Sequence, residues 1–283
     1  MHTPVLLNEV VEHLGAAPGK KIIDATFGEG GHTRALLEKG ATVLAIDRDL
    51  TQVESYGLKT ESLKLKVEEK KLILTQGNFK DIGEIAKDAE FFPVDGILFD
   101  LGLSNEQLRS GGKGLSYKNF DETLDMRLDD SCELDAETIL RQYSEKELIH
   151  MFMHNAEETL AIELAKRIGL QRVGVRPLTV GWLVEVVNSV AKNNPRPTLT
   201  RVFQALRVEV NNEFNNLEKA LVGAVSLLAP QGKIAVISFH SLEDRIVKRF
   251  IRSHGYVQLG KKPIFGNSEI SFERSAVLRV FSL

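Results

Sequence analysis

An α/β fold is what this chain predicts: one largely parallel sheet with an all-helical segment let into it. Three observations carry that expectation. Short apolar runs alternate with helix-period stretches through residues 21–103, the pattern that builds a parallel sheet with helices on both faces. Strand character is then absent from about Ser104 to Thr200, where apolar residues recur at helical spacing. It returns at Lys233 to Phe239.

The elements follow in order. Lys21 to Thr26 reads as the first strand, Thr33 to Lys39 as its helix and Ala41 to Asp47 as the second strand. The highly charged stretch Tyr56 to Lys71 suits a loop or an exposed helix. Leu72 to Thr75 is the expected third strand and Val94 to Asp100 the fourth. Apolar spacing then predicts helices at Glu133 to Tyr143, Ser144 to His154, Glu157 to Ile168 and Val180 to Lys192. Gly111, Gly112 and Gly114 mark a loop before them, and Pro195 and Pro197 one near their end. The turn Ala229-Pro230-Gln231-Gly232 precedes the fifth strand, a helix follows, and a hairpin between Ile264 and Phe281 closes the chain. The expected division is a core of residues 1–103 and 204–283 with a helical insertion at 104–203. Insertions at the carboxyl end of a strand lie beside the ligand crevice, so this one is placed to shape a substrate site.

Composition narrows the class. The 283 residues are 43% hydrophobic and 27% charged, ordinary for a soluble globular protein. No apolar run approaches the ~18 residues of a membrane span. Met1 to Glu12 lacks a basic segment ahead of an apolar one and does not resemble a leader. The single cysteine, Cys132, excludes an internal disulfide framework and fits a reducing cytoplasm, the expected location. A net charge of −3 means that any nucleic-acid contact comes from local patches. Candidates are Arg196, Arg201 and Arg207, then Arg245, Lys248, Arg249 and Arg252, then Lys261 and Lys262. Each run also reads as a solvated helix face.

The chemistry concentrates in Asp24-Ala25-Thr26-Phe27-Gly28-Glu29-Gly30-Gly31-His32, with Asp47 closing the next strand. Strand, glycine turn, helix, strand and carboxylate is how a doubly wound sheet grips a nucleoside-bearing cofactor. A dinucleotide site needs a third glycine where this chain has Thr33, and the Gly-Lys-Ser/Thr of a P-loop is absent. Asp-x-x-x-Gly-x-Gly with a following acid points instead to S-adenosylmethionine, Asp47 accepting from the ribose hydroxyls. An ordinary glycine turn is the competing reading. Phe79, after the third strand, is placed either to stack on the adenine or to join the core.

Asp100-Leu101-Gly102-Leu103-Ser104 ends the fourth strand, where amino-methylating enzymes hold a polar acceptor. An exocyclic base amine is a poor nucleophile because its lone pair is delocalised, and an acceptor near its N–H can orient it. Asp100 and Ser104 read equally as helix caps. His240, leaving the fifth strand, suits binding, proton handling or a structural role, and Ser241 with Asp244 reads as a capping box. Methylation at cytosine carbon-5 needs an activated thiol, and the acids flanking Cys132 raise a thiol pKa instead. No Gly-x-Ser-x-Gly elbow occurs, and His150 with His154 lacks the His-Glu-x-x-His pattern, so no metal site is assigned.

Several strings run through nearly the whole chain in one order: His2-Thr3-Pro4-Val5-Leu6-Leu7-Asn8-Glu9-Val10, the Asp24-to-His32 loop, Ile46-Asp47-Arg48-Asp49 and Gly77-Asn78-Phe79. Asp100 to Leu108, Leu124-Asp125-Met126-Arg127, Phe203-Gln204-Ala205-Leu206-Arg207 and Ser238 to Lys248 continue the series. Together they resemble the bacterial small-subunit (16S) ribosomal RNA cytosine-N4 methyltransferases. That resemblance implies a Rossmann-like S-adenosylmethionine-dependent methyltransferase sheet with an inserted all-helical, substrate-side domain. It implies cofactor contacts from Gly30, Gly31, His32, Asp47, Phe79, Asp100 and Gln107. Asp100 and His240, from their places at the strand ends, are the candidate catalytic residues. It implies as substrate a cytidine of the decoding region, presented by an assembled or late-assembly small subunit. Arg127, Arg201, Arg207 and Arg245 are the candidate RNA contacts. Neither monomer nor homodimer is favoured. Three strings depart from the family pattern. Lys113-Gly114-Leu115-Ser116-Tyr117 stands for Arg-Gly-Phe-Ser-Phe, and Ala156-Glu157-Glu158 for Gly-Glu-Glu. Ser271 to Ser275 replaces a basic segment. The alternatives are the same chemistry on another nucleic acid, or a non-catalytic, cofactor-binding ribosome assembly factor.

Overall fold

A computed structural model describes residues 4–48, 71–103, 112–129, 132–270 and 273–283. The expected loop or helix at Tyr56 to Lys71 falls outside them, apart from Lys71. Contacts divide the chain into two compact units, Met1–Ser104 with Phe214–Leu283, and Asn105–Glu213.

The first unit opens with α1 (Leu7–Leu14), followed by β1 (Lys21–Asp24), α2 (Gly31–Glu38) and β2 (Thr42–Asp47). Next come β3 (Leu72–Gln76), a 3₁₀ turn (Phe79–Asp81), α3 (Ile82–Asp88) and β4 (Val94–Asp100). The chain then forms the second unit: α4 (Ala136–Gln142), α5 (Glu145–Ala156), α6 (Ala161–Gln171), α7 (Val180–Val190) and α8 (Pro195–Asn211). After it come α9 (Glu213–Val225), β5 (Leu228–Ser238), α10 (Ser241–Ser253), β6 (Val257–Gln258), β7 (Ile264–Phe265) and β8 (Val277–Ser282).

The sheet runs in the order β3-β2-β1-β4-β5-β8-β6, with β7 also paired to β8. Strands β1 to β5 are parallel, and β8 lies antiparallel to β5. Strand order reverses between β1 and β4, so the crevice outside their carboxyl ends is the ligand position of an open α/β sheet. Ile22, Ile23, Leu44, Ile46, Ile97 and Phe99 are fully buried, as strands covered on both faces require. The expected turn at Ala229 to Gly232 is a bulge inside β5: Val94 pairs with Leu228 and Gly96 with Lys233, and Gln231 adopts φ 66°. The closing hairpin is short, Ile264 opposite Leu278 and Phe265 opposite Val277.

The second unit has its own apolar core around Phe152, Leu164, Leu183 and Leu206. Its helices begin where local chemistry allows. Ser144 and Glu147 form a capping box on α5, and Thr179 caps α7 through Trp182 N. Glu157, expected inside the next helix, is the left-handed cap of α5, with φ 50°, and α6 starts only at Ala161. Position 204, the expected return to the core, falls inside α8. That helix stays with the second unit because Asn155 Nδ2 donates to Ala205 O at 3.3 Å and Glu209 Oε2 at 2.7 Å. Asn211 then donates to Met126 O and accepts from Leu128 N, both at 2.9 Å. Among the described residues no helix is long and apolar enough to cross a membrane.

Candidate active site

Four strands of the first unit deliver polar side chains to one edge of the sheet. Asp24 ends β1 fully buried, its Oδ2 accepting from Thr33 Oγ1 at 2.6 Å and Oδ1 from Thr26 N at 3.2 Å. These bonds tie both ends of the glycine loop to one carboxylate. Gly30 caps α2 at φ 70°, and a Cβ there would meet the Phe27 ring at 2.8 Å. A Cβ on Gly31 would overlap the Pro4 ring, so the N-terminal segment also depends on a bare backbone. Asp47 ends β2, and its Oδ2 accepts from Gly28 N at 2.7 Å. A charge-assisted bond of this kind contributes about 1.5–3 kcal/mol and fixes the carboxylate at the loop.

Asp100 ends β4, its backbone N donating to Thr26 Oγ1 at 2.7 Å. Its Oδ2 lies 3.7 Å from His32 Nδ1, and its side chain keeps 23% exposure. Oδ1 is sealed from solvent and has no hydrogen-bond partner among the described residues. Burial pushes the Asp100 carboxyl above the usual range, His32 opposes the shift, and Asp24 and Glu243 add to it. Burial raises Asp24 likewise, again opposed by His32. A carboxylate raised in this way holds a proton more readily than an ordinary aspartate.

Beside Asp100, the Phe239 ring packs so closely on Gly102 that a Cβ there would lie 2.7 Å from it. The capping box expected from Ser241 and Asp244 is corrected by one residue. His240 is the N-cap of α10 and Glu243 its partner, because the buried Glu243 carboxylate accepts from Phe239 N at 2.8 Å and His240 N at 3.3 Å. Asp244 is occupied elsewhere, binding Arg279 at 2.6 and 2.9 Å. His240 Nδ1 accepts from Glu243 N at 3.4 Å. Its Nε2 lies 3.1 Å from Glu243 Oε1, an electrostatic contact outside hydrogen-bond geometry that leaves this buried atom without a partner. Phe214 flanks the ring at 5.7 Å.

Gly30, Gly31, His32, Asp47, Asp100 and His240 thus share one edge of one sheet. Phe79 follows β3 on the same edge, half-buried and edge-on to Phe99 at 6.0 Å. Gln107 lies outside the described residues. Three of the four expected RNA contacts belong to the second unit, each beside a carboxylate. Arg127 chelates Asp125 at 2.8 and 3.0 Å, and Arg207 chelates Glu213 at 2.8 and 3.0 Å. Arg201 bonds the buried Glu158 at 2.6 Å. Arg245 is exposed on α10. Cys132 Sγ lies 3.6 Å from Asn211 Oδ1 and 4.0 Å from Asp129 Oδ1, acceptors that suit a thiol rather than a thiolate. Sequence reasoning missed Glu243 and the packing of Pro4 against Gly31. The first carried a signal in the spacing of His240 and Glu243, since an acid at the third helical position completes a cap one residue upstream.

The sequence model of the MraW methylase family matches residues 1–268. The chain is 40% identical over 257 residues to "Ribosomal RNA small subunit methyltransferase H" of Dictyoglomus turgidum, covering 90% of this chain and 85% of that one. It is 37% identical to the protein of the same name from Dictyoglomus thermophilum, over 99% of this chain and 96% of that one. For the one from Deinococcus radiodurans the figures are 40%, 99% and 88%.

Proposed function

We infer the reaction from the premise that this chain belongs to the MraW methylase family: it transfers a methyl group from S-adenosylmethionine to the N4 amine of a cytidine in small-subunit ribosomal RNA. Our finer reading places that cytidine in the decoding region, presented by an assembled or late-assembly subunit in the cytoplasm. It rests on the resemblance that runs through nearly the whole sequence.

The residues present fit this cofactor. Gly30 and Gly31 form the turn into α2 where Phe27 and Pro4 leave no room for a side chain, Asp47 supplies carboxylate oxygens at the end of β2, and Asp100 Oδ1 is a sealed acceptor with no donor among the described residues. That orphaned oxygen is the observation that carries the proposal. A buried acceptor left unpaired costs about 1–3 kcal/mol, a cost that a bound N–H removes. When bound, S-adenosylmethionine supplies a methyl group already activated by its sulfonium. The chain's task is therefore alignment, worth up to ~7–11 kcal/mol of avoided entropic cost. Asp100 Oδ1 accepts from the N4–H, turning the amine's lone pair toward the methyl carbon. The proton released on transfer passes to Asp100, whose raised pKa suits it to that role. His240 Nε2, also without a hydrogen-bond partner among the described residues, holds the base. The cytidine must leave its stack to reach these atoms, which costs least in a loop or junction.

For RNA engagement the best-supported surface is α10. Arg245, Lys248, Arg249 and Arg252 are exposed and fall on one face at helical spacing. Its two acids are turned to other work, Glu243 to the cap and Asp244 to Arg279, while Arg249 of that face meets Glu218 of α9 at 2.9 Å. Arg127, Arg201 and Arg207 are bonded to carboxylates of the second unit, and we assign them to RNA through the surfaces they brace.

Tritiated S-adenosylmethionine offered with small subunits from a strain lacking the enzyme, or with duplex DNA, tests the reading. Label should appear in the subunits and be recovered as N4-methylcytidine. Label favouring duplex DNA would overturn the substrate. No label in either would favour the assembly-factor alternative.

A further inference from the structure

His32 reaches beyond the glycine loop that contains it. The ring is 6% exposed and spans two partners: Nε2 lies 3.0 Å from Val5 O, and Nδ1 3.7 Å from Asp100 Oδ2. The Val5 carbonyl and the Asp100 carboxylate both only accept, so the ring that bridges them carries a proton on each nitrogen. The Val5 carbonyl is itself held in place. Pro4 lies against Gly31, Val5 and Leu6 are buried, and Leu6 turns the chain into α1 through a left-handed φ of 51°. A non-glycine residue keeps that conformation only where packing enforces it.

We propose that His32 is a positioning residue for Asp100. Clamped through Nε2 by the Val5 carbonyl, its Nδ1 engages Asp100 Oδ2, keeps the carboxyl ionised and turns the unpaired Oδ1 toward the substrate amine. The proposal rests on the methyltransferase reading and assigns work to the N-terminal segment as well. The other groups that bear on Asp100 pull both ways. Asp24 and Glu243 are anionic and favour the protonated acid, as does burial, while the Gly102 backbone N–H favours the carboxylate. Among the described residues, His32 is the side chain that acts on this carboxyl to favour ionisation. Without it, Asp100 would hold its proton to higher pH and offer the amine a carboxylic acid, a weaker acceptor.

His32→Gln keeps a donor at the reach of Nε2 and removes the group at Nδ1. Two readouts follow it: the carboxyl-carbon NMR titration of Asp100 in the cofactor-free protein, and the pH profile of kcat at saturating S-adenosylmethionine. The Asp100 midpoint should rise by about one unit, a tenfold change in proton affinity. The acidic limb of kcat should move the same way. Asp100→Asn identifies the resonance. His32→Asn, which gives up Val5 and returns an amide to the Nδ1 side, serves if the glutamine variant does not fold, and should raise the midpoint by less. An Asp100 midpoint unchanged in the folded variant overturns the proposal. Should the wild-type protein methylate no ribosomal substrate, the functional reading fails by itself, because the carboxyl titration still reports the coupling.

Discussion

Removing the Glu243 carboxylate tests how the end of β5 is held. The side chain is 4% exposed and accepts from two backbone N–H groups, Phe239 at 2.8 Å and His240 at 3.3 Å. In Glu243→Ala the shorter bond leaves a donor in a half-buried loop with no replacement acceptor, costing about 1–3 kcal/mol. Loss of the longer bond from His240 N, the carboxylate's half of the capping box, adds about 1 kcal/mol. The expected destabilisation is therefore about 2–4 kcal/mol. Glu243→Gln keeps an acceptor oxygen and loses the charge, so about 1 kcal/mol is expected. Urea unfolding followed by circular dichroism is the assay, because the single tryptophan, Trp182, lies in the other unit and does not report on this one. Amide exchange localises the effect, with faster exchange at Phe239 and His240 in the alanine variant. If Glu243→Ala unfolds within about 0.5 kcal/mol of wild type, the buried cap is not what holds this loop.

Three further outcomes are expected. Asp47→Ala should weaken S-adenosylmethionine binding by at least about tenfold in calorimetry, since it removes both the ribose acceptor and the partner of Gly28 N; unchanged affinity removes the assignment. The double variant Lys248→Glu, Arg252→Glu should weaken small-subunit binding and lower the salt slope by about two, while cofactor affinity holds. An equal loss of both affinities would mean misfolding instead. Phe152→Ala empties a fully buried site in the helical unit and should cost about 3–5 kcal/mol, read from Trp182 fluorescence; a loss under about 1 kcal/mol would mean that this unit has no single core.

How much of this was legible in the sequence depended on whether the deciding partner was near in the chain. Val94 to Asp100 was placed to the residue, because an apolar run between a proline and an acid allows one reading. Pro230 and Gly232 looked like a strand boundary, yet the neighbouring strand carries β5 past them as a bulge, which no local pattern announces. The glycine loop, Asp47 and Asp100 were legible because backbone approach and carboxylate placement leave a spacing signature. His240 was placed at the right strand end, but its cap partner was misassigned by one residue, since Ser-x-x-Asp and His-x-x-Glu overlap and only burial chooses between them. The arginines were legible as charge and not as partners. Arg201 meets a carboxylate 43 residues away, at Glu158, in the very string that departs from the family pattern. Long-range pairing of that kind is a property of the fold.

Diffraction from crystals grown with S-adenosylhomocysteine tests the central claim most directly. The ribose hydroxyls should lie within hydrogen-bond distance of Asp47, with the amino acid moiety over Gly30 and Gly31 beside Asp100. Ligand density away from the carboxyl ends of β1, β2 and β4 would contradict the account.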